Sequence, residues 1–143
     1  MPSVLIAEDD LLIADMLEEN LIAAGYTVCG IARTVDGAIS LGLLYQPDLA
    51  VLDIRLADGG LGTDVAAKLN RQTTGILYAS GNPWLLALTR DNGEGCLSKP
   101  YGAREVVTSL KIVTDIKETG KTTLTPPRGF QMLEEKQKTS AVA

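Results

Sequence analysis

The stretch Pro47-Asp48-Leu49-Ala50-Val51-Leu52-Asp53-Ile54 decides the fold of this chain. A proline ends the preceding segment, and a short apolar run follows it and ends in a carboxylate. An uninterrupted run of this kind is typical of a parallel strand that is buried on both faces. An Asp at the end of such a strand lies at the carboxyl edge of the sheet, where open α/β folds keep their ligand sites. Taken alone, Asp53 is equally well explained as a turn residue after an ordinary strand.

A second apolar run, Val4-Leu5-Ile6-Ala7, also ends in acid, in Glu8-Asp9-Asp10. The carboxyl ends of parallel strands meet at one edge of a sheet, so the two runs together predict a carboxylate cluster there. Asp10 has a simpler explanation, because an acidic residue at the start of the next helix interacts favourably with the helix dipole.

Length and composition exclude several classes of protein. A chain of 143 residues with 45% hydrophobic and 22% charged residues is typical of one globular domain. The net charge of −5 and the absence of clustered Lys and Arg argue against DNA binding. No apolar run approaches the ~20 residues of a membrane span and no signal peptide precedes the first strand, so we expect a cytoplasmic protein without membrane insertion.

Histidine is missing and cysteine is rare. Without histidine, the chain has no His-based acid–base catalysis, no His metal ligand and no phosphohistidine of its own. Cys29 and Cys96 fall in predicted strands on opposite sides of the sheet, ~19 Å apart at ~4.8 Å per strand spacing. We therefore expect two reduced packing cysteines rather than a disulfide.

Apolar strands alternate with helical patterns along the first 117 residues. Further strands are expected at 27–31, 75–79 and 95–98, and helices at 11–24, 35–45, 63–71 and 84–90. A last helix has an apolar face formed by Ala103, Val106, Val107, Leu110 and Val113. This alternation predicts an α/β fold with a parallel sheet, right-handed crossovers and helices on both faces.

The composition changes near Lys117. Residues 120–129 contain three Thr, two Pro and two Gly, which is typical of a linker, and a polar segment with a few apolar residues follows. We therefore predict a folded domain over 1–117 and a linker-like tail over 118–143. Ile112 and Ile116 lie off the apolar face of the last helix, so the tail or a partner is expected to cover them.

Landmarks at the strand ends, in this order along the chain, resemble a known family. They are the acidic pair Glu8-Asp9, the strand-ending Asp53 and Ser80, and Lys99-Pro100-Tyr101. Over residues 1 to about 117 this pattern is similar to the receiver domain of bacterial two-component response regulators. The resemblance implies a flavodoxin-like, doubly wound, five-stranded parallel sheet in the order 2-1-3-4-5. It also implies that the tail is not an output domain.

The resemblance assigns roles to the landmark residues. Asp53 is the implied phosphoacceptor, Ser80 the hydroxyl residue and Lys99 the lysine that precedes a cis proline. The implied partners are a histidine kinase or histidine phosphotransfer protein and a downstream protein that the sequence does not name. A homodimer is a further arrangement that the sequence allows.

Mg²⁺ or Mn²⁺ is the implied cofactor. Asp9 and Asp53 would bind it directly, with the main-chain carbonyl of Arg55, and Glu8 would act through a water molecule. Neighbouring carboxylates repel one another and raise at least one pKa, and a hard divalent cation relieves that repulsion.

Three features depart from the family pattern or refine it. Cys96 occupies the place, three residues before the lysine, where many receivers have an aromatic switch residue. Ala57 stands where a proline is common, directly before a glycine-rich stretch over 58–62 that we interpret as a flexible loop rather than a phosphate-binding one. Tyr78-Ala79-Ser80-Gly81 resembles the Phe-Ala-Thr-Gly stretch of a group of stand-alone receivers that lack the aromatic switch.

Two other function classes compete with a phosphorylation-switched signalling protein. One is a metal-dependent phosphohydrolase with an aspartyl-phosphate intermediate. It is disfavoured because Arg55, and not an acid, stands two residues after Asp53. The other is a flavodoxin-like module that binds a nucleotide or flavin. We expect the chain to be no enzyme beyond its own phosphoryl uptake and loss.

Overall fold

The computed structural model of the chain describes residues 1–81 and 87–135. Its helices and strands, in chain order, are β1 (Ser3–Ala7), α1 (Leu11–Ala23), β2 (Thr27–Ala32), α2 (Val35–Tyr45), β3 (Leu49–Asp53), α3 (Gly62–Ala66), β4 (Gly75–Ser80), β5 (Gly95–Ser98), α4 (Ala103–Thr119) and β6 (Phe130–Met132).

The apolar run that ends in Asp53 forms the centre of the sheet. All five residues of β3 are buried, and β3 pairs in parallel with β1 on one side and with β4 on the other. The strand order is β2-β1-β3-β4-β5-β6. The α/β fold and the predicted order of the first five strands are therefore confirmed.

The number of strands differs from the prediction. β6 pairs antiparallel with β5, so the part of the chain that the structure describes forms a six-stranded sheet that is mixed at this edge. The additional strand comes from the segment beyond residue 117 that looked linker-like, because its apolar residues are few and are preceded by two prolines.

Strand residues alternate between two hydrophobic cores, one on each face of the sheet. Val4 and Ile6 belong to the core under α1 and α4, whereas Leu5 and Ala7 belong to the core under α2 and α3. This alternation follows from the period of two in a strand. The prediction of helices on both faces is confirmed.

Helix starts follow their capping residues. The Asp10 carboxylate accepts hydrogen bonds from the amides of Leu12 and Ile13, and the Thr34 hydroxyl accepts one from Gly37. Both residues satisfy amides that the first helical turn leaves without an intrahelical partner. The role predicted for Asp10, at the start of a helix, is confirmed.

Several predicted helix boundaries need correction. The third helix ends at Ala66 rather than Arg71, and Asn70 accepts hydrogen bonds from Gln72, Thr73 and Thr74 that turn the chain. Residues 84–86 of the helix predicted over 84–90 lie outside the described residues, and the described residues 87–90 are not helical.

The last helix has a wider buried face than its apolar spacing indicated. Ala103, the first residue of the helix, is exposed, whereas Ile112 and Ile116 are 0% and 4% exposed. The tail returns along this helix, and the Thr122 hydroxyl donates to the Asp115 carboxylate. That the tail or a partner covers the two isoleucines stays a prediction.

Both cysteines are free, as predicted, with Cys29 on β2 and Cys96 on β5. Among the described helices, none is both long and apolar enough to cross a lipid bilayer.

An ion pair between the half-buried Arg71 and the buried Glu94 lies at the amino ends of β4 and β5. The Arg71 guanidinium donates to both carboxylate oxygens of Glu94, with the shorter bond at 2.8 Å. The Glu94 side chain, 4% exposed as a residue, also accepts the amide of Ile76 at 2.8 Å. The pair therefore joins the segment before β5 to the start of β4.

The loop after β3 folds back onto the strand that it leaves. An isolated bridge pairs Arg55 with Leu61, and the Gly62 amide donates to the Ile54 carbonyl at 2.8 Å. A Cβ at Gly62 would overlap the main-chain carbonyl oxygen of Asp53. Only glycine allows this close approach, so the glycine-rich loop is needed for packing against the end of β3.

The close approach of Gly62 makes a stability prediction. Gly62→Ala should lower the free energy of unfolding by about 1–3 kcal/mol, because the obstructing atom is main chain and cannot rotate away. Urea unfolding followed by circular dichroism measures this loss. Gly81→Ala is the matched control, since a Cβ at Gly81 has no neighbour within 4 Å. Equal stability of the two variants would contradict the packing account.

Candidate phosphoacceptor site

Three carboxylates meet at the carboxyl edge of the sheet. Glu8 and Asp9 follow β1, and Asp53 ends β3, which is the neighbouring strand. One carboxylate oxygen from each residue lies within 4.8 Å of the others. The predicted acidic cluster is therefore present, and its hard oxygen atoms are ligands that suit a divalent cation.

Lys99 lies across this cluster. Its ammonium contacts Glu8 Oε1 at 2.6 Å and Asp53 Oδ2 at 3.2 Å. Glu8 is 3% and Asp53 9% exposed, so the three charges are largely shielded from water. The lysine is the counter-charge that lets two buried carboxylates lie side by side.

The turn after β5 positions the lysine. The Lys99 amide donates to the carbonyl of Ser80 at 2.8 Å, and the Lys99–Pro100 peptide bond is cis, as the resemblance implied. Ser80 ends β4, is 7% exposed and pairs in register with Ser98 of β5. The hydroxyl residue and the lysine thus follow adjacent strands, with their main chains hydrogen-bonded to each other.

The Arg55 main chain lies two residues past Asp53, at the start of the returning loop. Its side chain is exposed, and the two hydrogen bonds of the Arg55–Leu61 bridge are made by neighbouring residues. The hydrogen bonds of the bridge therefore do not use the Arg55 carbonyl.

Burial and proximity alter the protonation of the site. Burial, followed by a hydrogen bond with the Asp53 carboxyl group, raises the pKa of Glu8 to about 7, although Lys99 opposes the rise. Burial lowers the pKa of Lys99, but the hydrogen bond to Glu8 and the charges of Asp53 and Glu8 outweigh it and raise that pKa. The lysine is therefore charged at neutral pH, and Glu8 exchanges its proton near neutrality.

The structure assigns Glu8 a contact that the sequence did not indicate. Sequence reasoning expected it to reach a metal through water, but its shortest described bond is the one to Lys99. Spacing along the chain could not reveal this pair, since the two residues are 91 positions apart.

Tyr101 borders the site and was not predicted to take part in it. Its hydroxyl is buried without a hydrogen-bond partner among the described residues, and burial raises its pKa to about 12. It lines an open groove of about 320 Å³ together with Ile13, Met16 and Pro100. The ring thus gives the carboxyl edge an apolar border toward α1.

Cys96 occupies the position of the missing aromatic residue. It is 3% exposed and packs in the core under α2 and α3. Burial raises the pKa of its thiol to about 11, so the thiol is neutral and behaves as a small apolar group.

No protein-family model matches the chain. The transcriptional regulatory protein PdtaR of Mycobacterium tuberculosis is 30% identical over 113 residues, which cover 76% of this chain and 55% of PdtaR. The chain therefore spans about half the length of this relative.

Two solved structures are similar over nearly their whole length. The receiver domain of a modulated diguanylate cyclase from Desulfovibrio desulfuricans is 26% identical, with a TM-score of 0.70 and coverage of 85% of this chain and 99% of that one. The receiver domain of PhyR from Erythrobacter litoralis is 25% identical, with a TM-score of 0.69 and coverage of 88% and 96%.

The strand order, the carboxylates at the ends of β1 and β3, and the lysine that bridges them all agree with these similarities. The chain belongs to the receiver domains of the response-regulator family.

Proposed function

We propose that this receiver domain accepts a phosphoryl group on Asp53 and signals by phosphorylation-dependent protein binding or by phosphorelay. The observation that supports this most directly is the Lys99 ammonium, 3.2 Å from Asp53 Oδ2 within a cluster of three carboxylates. A carboxylate that can act as a nucleophile and a cation that can hold phosphoryl oxygens are thus in contact.

The chemistry requires little beyond position and charge. A carboxylate oxygen of Asp53 attacks phosphorus, the bond from phosphorus to the donor breaks, and the donor leaves with the electron pair of that bond. Lys99 moves from the carboxylate to the phosphoryl oxygens, and the Ser80 hydroxyl donates to another of them. Arrangements of this kind promote phosphoryl transfer through electrostatic stabilisation.

The carboxylate set fits Mg²⁺ or Mn²⁺. Asp9 and Asp53, with the Arg55 carbonyl, would hold the ion, and Glu8 is close enough to take part through water. When bound, the ion supplies positive charge that offsets the carboxylates and the incoming phosphoryl group.

The phosphoryl donor is a separate molecule. A histidine kinase or histidine phosphotransfer protein would supply phosphohistidine, because this chain contains no histidine. The competing phosphohydrolase needs a general acid near the nucleophile, and the residue two positions after Asp53 is Arg55, whose side chain is exposed. The signalling function is therefore the better supported of the two.

The nucleophile is tested by removing its charge. Asp53→Asn should abolish phosphoryl uptake from acetyl phosphate in the presence of Mg²⁺, because an amide is not a nucleophile under these conditions. Intact-mass spectrometry measures the gain of one phosphoryl group. Asp48→Asn is the matched control, since Asp48 immediately precedes the same strand at its opposite end and bonds to Ser3. Equal labelling of wild type and Asp53→Asn would overturn the assignment.

The role of Lys99 is tested by a substitution that should change Mg²⁺ binding and phosphoryl uptake in opposite directions. Lys99→Ala should tighten Mg²⁺ binding, because a competing cation leaves the cluster. It should slow phosphoryl uptake on the order of 10²-fold, because a charged donor to the phosphoryl group is lost. Calorimetry and mass spectrometry measure the two effects, with the exposed Lys111→Ala as control. A variant that reacts at the wild-type rate would contradict the role of Lys99.

The raised pKa of Glu8 predicts how stability depends on pH. The folded state holds the Glu8 proton up to about pH 7, whereas the unfolded chain loses it near 4.5. Folding therefore binds a proton between these values, and the stability of the metal-free protein should fall as pH rises from 5 to 7. Urea unfolding in EDTA measures the slope, which Glu8→Gln should flatten and the exposed Glu19→Gln should not. A slope that Glu8→Gln leaves unchanged would rule out Glu8 as its source.

A further inference from the structure

The C-terminal strap, defined as residues 129–134, covers the edge of β5. The Ser98 amide donates to the Gly129 carbonyl and the Leu133 amide to the Glu94 carbonyl, each at 3.0 Å. Between these bonds Cys96 lies opposite Gln131. Main-chain bonds of this kind are available to any extended segment that reaches the edge of a sheet.

A socket for an aromatic ring lies beneath the strap. A Cβ at Gly95 would be 2.5 Å from the ring of Phe130, so the ring fills space that only glycine leaves open. Phe130 is half-buried against the core under α1 and α4. The surface of β5 is therefore shaped for an aromatic side chain at this register.

The other end of the strap enters the opposite core. Leu133 is 5% exposed and belongs to the core under α2 and α3, whereas the Gln131 side chain is exposed. An aromatic residue followed three positions later by leucine thus contacts both faces of the sheet.

Arg90 donates hydrogen bonds to main-chain carbonyls at the end of the strap. The Arg90 amide donates to the Glu134 carbonyl and its Nε to the Leu133 carbonyl, both at 2.9 Å. These contacts are independent of the strap side chains. The same guanidinium lies next to a segment that continues in two acidic residues, Glu134 and Glu135.

The strap is short and is joined to α4 by a segment with few described side-chain bonds. Its strand has three residues, and both Phe130 and Met132 are only half-buried. A tethered segment of this kind competes at an effective concentration in the millimolar range. A separate segment with a better match to the same contacts can therefore displace it.

We propose that the β5 edge, with Gly95 and Arg90, is a docking site for an extended segment of a partner protein, and that the strap fills it as an internal ligand. The partner segment would have an aromatic residue followed three positions later by leucine and then by acidic residues. A second copy of this chain is the weaker candidate, because its strap offers no contact that the tethered strap does not already make. The proposal does not rest on phosphoryl transfer.

The test loosens the strap in the full chain and supplies the same segment separately. The probe is a fluorescein-labelled peptide with the sequence of residues 127–135. It should bind Phe130→Ala/Leu133→Ala at least tenfold more tightly than wild type, as measured by fluorescence anisotropy. Gln131→Ala, which alters an exposed strap residue, should bind like wild type. A peptide with serine at the Phe and Leu positions should not bind.

Two results would overturn the proposal. One is a double variant with wild-type circular dichroism and cooperative unfolding that binds the peptide no better than wild type does. The other is a wild-type dimer, seen by light scattering and lost in the double variant, because the occupant would then be a second copy.

Amide exchange in the wild-type protein decides the question if the double variant does not fold. The amides of Arg90 and Ser98 donate to carbonyls of the strap, and the amide of Leu133, in the strap, donates to the Glu94 carbonyl. The Gly75 amide instead donates to the Asp48 carbonyl within the sheet. The three strap-linked amides should exchange at least tenfold faster than that of Gly75. Equal protection would mean that the strap opens only with the whole fold, which would refute the proposal.

Discussion

The rest of the site depends on the ion pairs that the Lys99 ammonium forms with Glu8 and Asp53. Glu8 and Asp53 are almost fully buried, and without a counter-charge their proximity would be costly. Lys99 reaches both of them only because β5 ends beside β4 and the following turn directs the chain back over the sheet. The strand order is thus a precondition for the electrostatics of the site.

The sequence predicted those parts of the fold that follow from local pattern. The apolar runs at β1 and β3 revealed the central strands, and the acids that end them revealed the carboxylate cluster. The resemblance of Lys99-Pro100-Tyr101 to the family pattern supplied the lysine. Each of these predictions depends on a residue type at the end of an element, which spacing along the chain can show.

Contacts between distant segments were not predictable in the same way. The pair formed by Glu8 and Lys99, the packing of Gly62 on Asp53 and the pairing of β6 with β5 all depend on tertiary approach. The three residues of β6 are too few to show a period of two above the polar background. The early end of α3 has a local cause, since Asn70 favours a turn over another helical turn.

The ion pair of half-buried Arg71 and buried Glu94 makes the two ends of the sheet differ in how firmly their strands are held together. Removing Arg71 would leave the buried Glu94 carboxylate without its counter-charge, so separating the amino ends of β4 and β5 is unfavourable. At the opposite end the same strands finish in Ser80 and Lys99, where the contacts are polar and can be exchanged for others. The sheet therefore has a fixed end and an adjustable end, and a charge change at Asp53 acts on the end that is free to respond.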